Sequence, residues 1–185
     1  MLASRPQLSD KVKTELIEWA KCIAAAVAIA VFIMVFIGRS TVVDGSSMEP
    51  TLSDRDRLWL DKLTYRFSEP RRGDIVVFDM PGEKYIKRVI GLPGERVWSE
   101  DGVVYVDGKR LEEDYVLDRI RRGGDFGPVT VPEGSVFVLG DNRNNSDDSR
   151  GSVGMLDIDR IIGKVVFRYY PLTEIGVVGF EYDGD

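Results

Sequence analysis

The sequence predicts a mainly β chain: one antiparallel, β-rich domain behind a single N-terminal transmembrane helix. Three observations predict it. An uncharged apolar run, CIAAAVAIAVFIMVFIG, occupies residues 22–38. After it come short runs rich in Val, Ile, Phe and Tyr, bounded by Gly, Pro and Asp, the pattern of strands and turns. Two Asp-Gly pairs, Asp101-Gly102 and Asp107-Gly108, stand between such runs and favour two-residue hairpin turns, because glycine accepts a positive φ.

Residues 1–21 are mostly polar, with one helical stretch over 8–18 that runs into the apolar segment. As an α-helix the roughly 17 uncharged residues rise about 25 Å, slightly less than a hydrocarbon core of about 30 Å. Lys21 and Arg39 bracket the run and can snorkel to the two interfaces, with Trp19 at headgroup level. The alternatives are a buried core helix and a cleaved signal peptide. A signal peptide would have a shorter apolar stretch and a small-residue cleavage site, whereas a polar segment precedes this run and Gly38-Arg39-Ser40-Thr41 closes it. The reading is an uncleaved anchor. Arg5, Lys11, Lys13 and Lys21 on one side against Arg39, Arg55 and Arg57 on the other place the N-terminus in the cytoplasm. The expected plan is a cytoplasmic segment 1–21, a span 22–38 and an extracytoplasmic domain 39–185, a single-pass protein of the cell membrane.

The expected strands lie in DRLWLDKL (56–63), GDIVVFDMPG (73–82), KYIKRVIGLPG (84–94), ERVWSEDGVVYVDGKRLEE (95–113), VTVPEGSVFVLGDN (129–142) and IIGKVVFRYYP (161–171). The polar, Gly-containing stretch 147–159 predicts a surface loop before the last strands.

Composition narrows the chemistry. Among 185 residues there are 25 Lys plus Arg against 31 Asp plus Glu, a net charge of −6, one Cys and no His. The absence of histidine excludes Ser-His-Asp and Cys-His units and any imidazole-ligated metal. One cysteine excludes an internal disulfide and a multi-cysteine metal site. The acidic balance argues against nucleic acid as a partner, since that affinity is dominated by excess Lys and Arg. A hydrolase built from this chain needs a lysine or a carboxylate as its base.

Three segments carry candidate chemistry. Gly45-Ser46-Ser47-Met48-Glu49-Pro50-Thr51-Leu52 places a hydroxyl on a tight turn, where glycine lets a backbone N–H approach a developing oxyanion; a plain turn with two solvated serines is the alternative. Lys87 stands in an apolar strand pattern that puts Tyr85, Lys87 and Val89 on one face. A free lysine is neutral in about one molecule in 2,500 at pH 7, and half neutrality needs a fall of about 3 pKa units, which desolvation supplies. The alternative is a solvated edge charge. The third segment, 140–151, is dense in short polar side chains and suits a loop that fixes a neighbouring site. A calcium loop fits it poorly, because Asp141, Arg143, Asn145 sets a cation at a ligand position. The acidic pairs Asp147 and Asp148, or Asp54 and Asp56, fit a solvated face better than a glycosidase pair.

Behind the apolar run, SSMEPTL (46–52), DRLWLDKLTYRFSEPRRGDIVVF (56–78), YIKRVIGLPGE (85–95) and GDNRNNSDDSRGSVG (140–154) occur in an order that resembles the type I signal peptidase family, the Ser-Lys membrane serine endopeptidases. The resemblance implies a β-rich catalytic domain of that type lying against the outer membrane surface. It implies Ser47 as nucleophile, Lys87 as general base, and Ser146 hydrogen-bonded to the lysine. It also implies a supporting Asp148–Arg150 ion pair, with Asp141 and Arg143 in the same scaffold. Some members carry a serine two positions before the nucleophile that contributes to the oxyanion hole; Gly45 stands there, so the second donor is unassigned. The implied partners are secretory preproteins with small side chains one and three positions before the cleaved bond, and membrane lipid; no metal, cofactor or nucleic acid is implied. Two other readings remain: a related self-cleaving repressor protease, which would need a DNA-binding domain where the apolar run stands, and an anchored β-domain that only binds partners.

Overall fold

The computed structural model describes residues 10–36 and 38–179, with side chains from 12–29 and from 38 onward. The chain divides into two compact units between Gly38 and Arg39. In the first, α1 (Asp10–Phe36) is one continuous helix that joins the expected helical stretch to the apolar run. Its apolar side chains Ile17, Trp19, Ile23, Val27 and Ile29 are all more than half exposed. Among the described residues no helix is long and apolar enough to cross a membrane. The apolar run 22–38 reaches past them, since residue 37 and the side chains of 30–36 lie outside the described residues.

The second unit runs through β1 (Gly38–Val42), β2 (Arg57–Asp61), the short helix α2 (Thr64–Phe67), β3 (Ile75–Met80), β4 (Glu83–Gly91), β5 (Arg96–Glu100) and β6 (Val103–Val106). It continues through β7 (Lys109–Arg110), β8 (Val129–Thr130), β9 (Ser135–Leu139), β10 (Leu156–Asp157), β11 (Ile161–Tyr170) and β12 (Gly176–Val177). Among the described residues the strands form two sheets, one ordered β1-β2-β11-β3-β4-β9-β10 with β12 on β11, the other β7-β6-β5-β8. β3 and β4 are antiparallel in an unbroken register from Ile75↔Arg88 to Met80↔Glu83.

The central strands explain why some runs are apolar throughout and others alternate. Ile75 and Val77 of β3 pack with Met48, Leu52, Leu58 and Leu60. Val76 and Phe78 of the same strand pack with Val89, Val136, Val138 and Leu156 on the opposite face. A strand buried on both faces needs apolar side chains at every position, each contributing roughly 1.5–3 kcal/mol when fully buried. β5 and β6 bury alternate residues instead, Val97 and Ser99, then Val104 and Val106. Both Asp-Gly pairs turn these hairpins as the sequence predicts. Asp101 (φ 51°) and Gly102 (φ 76°) link β5 to β6, and Asp107 (φ 48°) and Gly108 (φ 83°) link β6 to β7. Positive φ at both central positions is the turn whose twist matches paired strands.

Two segments differ from expectation. Stretch 147–159 is not wholly a surface loop: Asp148, Val153 and Leu156 are buried, and β10 pairs Leu156 with Val136. The run 129–142 divides at Pro132-Glu133-Gly134, which sends β8 to the small sheet and β9 to the large one, because proline cannot continue a ladder.

Candidate active site

Ser47 sits on a turn pinned at both ends by the core. Val43, Met48 and Leu52 are buried in one cluster with β2 and β3, and the Leu52 N–H donates to the Met48 carbonyl at 2.9 Å. Gly45 has φ +91°, a conformation L side chains rarely adopt, and its N–H donates to Asp54 Oδ1 at 3.0 Å. That amide is therefore committed away from the serine hydroxyl. The polar loop holds the turn from the other side. Asn142 donates from its backbone N–H to the Ser47 carbonyl (3.0 Å) and from Nδ2 to the Ser46 carbonyl (3.1 Å). Asn145 Nδ2 donates to Ser46 Oγ at 2.9 Å. A Cβ on Gly140 would lie 2.5 Å from the Ser47 carbonyl oxygen, so only glycine lets the loop ride this close.

Lys87 lies in the middle of β4, opposite Val76, and is 3% exposed. Its Nζ is 2.7 Å from Ser47 Oγ and 5.0 Å from the centroid of the Tyr85 ring. Burial pushes the amine down to about 8, against the opposing pull of the Asp148, Asp147, Asp141 and Glu83 carboxylates. Desolvation of the charged form wins. The resemblance implies a bond between Ser146 and the lysine. In this structure Lys87 is bonded to Ser47, while Ser146 Oγ is buried with no hydrogen-bond partner among the described residues.

Asp141, Arg143, Asp148 and Arg150 of the 140–150 loop are fixed by pairing. Asp148 is fully buried and meets Arg150 through Nε and Nη2, both at 2.8 Å, while the Gly140 N–H donates to it at 3.0 Å. Asp141 is paired not with Arg143 but with Arg88 of β4, at 2.8 and 2.7 Å, and accepts from the Thr51 hydroxyl at 2.5 Å. Arg143 grips Glu113 at 2.9 and 2.6 Å and the Gly140 carbonyl at 2.9 Å. The Tyr115 ring lies 3.9 Å from the Arg88 guanidinium and 6.0 Å from that of Arg143. Sequence reading missed Arg88, Glu113 and Tyr115. The adjacent charges Lys87-Arg88 inside an apolar strand were a signal, because neighbours in a strand face opposite sides and both sides here are buried. Glu113 and Tyr115 carry no local signal.

Ser47 and Lys87 open on a cleft of about 700 Å³, bounded by residues 41–44 on one side and 82–87 on the other, with Asp147 on its wall. A hydroxyl bonded to a buried amine of lowered pKa is an arrangement that can serve as a nucleophile beside its base.

The family described as signal peptidase, peptidase S26, matches residues 16–170. A signal peptidase I of Bacillus licheniformis is 41% identical over 177 residues, spanning 90% of this chain and 95% of that protein. The signal peptidase I T of Bacillus subtilis (strain 168) is 42% identical over 169 residues, 86% of this chain and 88% of that one. A crystal structure of a signal peptidase I from Enterococcus faecalis V583 is 38% identical, covers 52% of this chain and 97% of its own, and has a TM-score of 0.46. With the family model matched over residues 16–170 and relatives 41% and 42% identical over 90% and 86% of its length, the chain belongs to the signal peptidase family, peptidase S26, and is a hydrolase of peptide bonds.

Proposed function

We propose that the chain removes signal peptides from secretory preproteins, using Ser47 as nucleophile and Lys87 as general base. The observation that carries this reading is the 2.7 Å separation of Ser47 Oγ from the buried Lys87 Nζ. With Lys87 neutral, the Ser47 hydroxyl donates its proton to Nζ as Oγ attacks the scissile carbonyl carbon. The Ser47 N–H is the donor available to the oxyanion from the turn itself; Gly45 spends its own on Asp54. The tetrahedral intermediate collapses as the Lys87 ammonium returns the proton to the leaving amine, leaving an acyl-enzyme on Ser47. Water then attacks the ester carbonyl, giving a proton to neutral Lys87, which passes it to Ser47 Oγ as the acid product departs. Arg88 with Asp141 ties the loop to β4, Arg150 with Asp148 fixes the loop internally, and Asn142, Asn145 and the Thr51–Asp141 bond hold it against the serine turn.

The anchor is α1. Its 22–36 portion carries no charge, and Ile17, Ile23, Val27 and Ile29 are exposed apolar side chains. Spanning with a cytoplasmic N-terminus, it puts residues 39–185 on the extracytoplasmic face, where a preprotein whose signal segment lies in the same bilayer meets the cleft at high effective concentration. By family membership the substrate has small side chains one and three positions before the cleaved bond.

The test is to mix the detergent-solubilised chain with a secretory preprotein and weigh the products, with Ser47→Ala beside it. Cleavage after a small residue by the unaltered chain alone is the expected result. Full cleavage by a folded Ser47→Ala protein overturns the nucleophile assignment.

A further inference from the structure

Four carboxylates act on the buried amine of Lys87: Asp141, Asp147 and Asp148 from the polar loop, and Glu83 from its own strand, which also brings the Tyr85 ring. Ser47, from the serine turn, is its uncharged neighbour. Asp141 and Asp148 are fully buried and each is gripped by an arginine, Arg88 and Arg150, which offsets part of their charge, although Asp148 still pulls on the amine more strongly than Asp147 does. Glu83 is exposed at the start of β4. The rim pair Lys84–Asp79 compensates itself at 2.8 Å.

Asp147 is different. It lies in the cleft wall, and among the described residues it has no ion-pair partner; the cation that acts on it is Lys87. Yet it is held in place. The Ser152 N–H donates to Oδ1 at 2.9 Å, the Ser152 hydroxyl donates to Oδ2, and the Tyr85 hydroxyl donates to Oδ2 at 3.5 Å. A Cβ on Gly151 would stand 2.5 Å from Asp147 Oδ1, so the glycine makes room for the carboxylate. The Ser152 bonds hold the Asp147 carboxyl below its usual range, which keeps it ionised wherever the lysine titrates.

Resting on the Ser47–Lys87 reading above, we propose that Asp147 is a positioning residue for the reaction: a fixed, unpaired negative charge in the cleft wall that favours the ammonium form of Lys87 and so raises the pH at which cleavage begins. A negative charge facing the amine favours the ammonium and opposes desolvation. Without it desolvation acts with less opposition, the amine loses its proton at lower pH, and the acid limb of kcat/KM moves down. Across a partly aqueous cleft the shift for one charge is about half a unit. Because Asp147 is exposed, salt screens it: the Debye length falls from about 10 Å at 0.1 M to about 3 Å at 1 M. A residue that only tied down the Ser152 turn would change melting temperature or kcat and leave the limb where it was.

The experiment compares the full chain in detergent micelles with Asp147→Asn and Asp147→Glu, cleaving one secretory preprotein from about pH 6 to about pH 10, in low and high salt, with Lys87→Ala as reference. The expected result is an acid limb about half a unit lower in Asp147→Asn, restored toward the starting value in Asp147→Glu, with the difference shrinking in about 1 M salt. A limb unmoved in Asp147→Asn overturns the proposal, whether the rate is kept or lost. Full cleavage by Lys87→Ala overturns the Ser47–Lys87 reading instead, so the two failures are told apart.

Discussion

On the proposed mechanism, whether Ser47 can attack depends on one proton. With Lys87 at about 8, about one tenth of the molecules carry a neutral amine at pH 7, and each unit of acidification removes roughly tenfold of that fraction. The sign follows: kcat/KM rises about tenfold per pH unit below the lysine's pKa and levels off above it. Steady-state rates across this range check the prediction, and a limb near 10.5 would describe a solvated lysine instead of the buried one. Gly140 is the second sensitive residue. A methyl there meets the Ser47 carbonyl oxygen at 2.5 Å, and because that atom is backbone it moves only by displacing the serine itself. Gly140→Ala is expected to lower kcat by roughly a hundredfold, the scale of a catalytic group misplaced by about 1 Å, with KM and the acid limb little changed. Single-turnover rates beside a melting curve separate this from unfolding.

At the level of elements, the site exists because β4 carries two adjacent cations through a doubly buried sheet. Lys87 turns toward the serine and Arg88 toward Asp141, where it is 1% exposed. Arg88→Leu leaves the Asp141 carboxylate buried and unpaired, and removing one partner of such a pair costs about 3–5 kcal/mol. The expected drop in stability is read by urea unfolding, and Arg88→Leu combined with Asp141→Leu is expected to recover most of it, because no buried charge is then stranded. The same strand marks the boundary of what the sequence discloses. Apolar runs and Asp-Gly turns announced β2–β6, β9 and β11, and Ser47 and Lys87 were legible because each sits in a short motif. β1 was not predicted, since only Gly38 falls in the apolar run and the remaining residues Arg39, Ser40, Thr41 and Val42 show no alternation. The grip of Glu113 on Arg143 was invisible because those residues are 30 positions apart and nothing local in either segment refers to the other. Long-range pairing of charges is decided by tertiary packing, which periodicity does not record.

For the whole molecule, the prediction concerns how the apolar helix and the catalytic unit share one task. If α1 holds the chain in the bilayer, the preprotein and the cleft are confined to one surface, and the advantage is one of concentration without any new contact. Two charges placed mid-run, Ile29→Lys with Ile33→Lys, each cost about 2.5–3.5 kcal/mol in a hydrocarbon core and leave Ser47, Lys87 and the polar loop untouched. The unaltered chain is expected to stay with membranes through alkaline carbonate extraction, and the doubly charged variant to be released. In detergent the two should cleave a short soluble peptide at equal rates, since the dyad is the same. On vesicles carrying a membrane-held preprotein the variant should be slower by about a hundredfold, the low end of what tethering supplies. Release of the unaltered chain by carbonate would remove the anchor from the account. Equal rates on vesicles would show that the catalytic unit finds its substrate without α1.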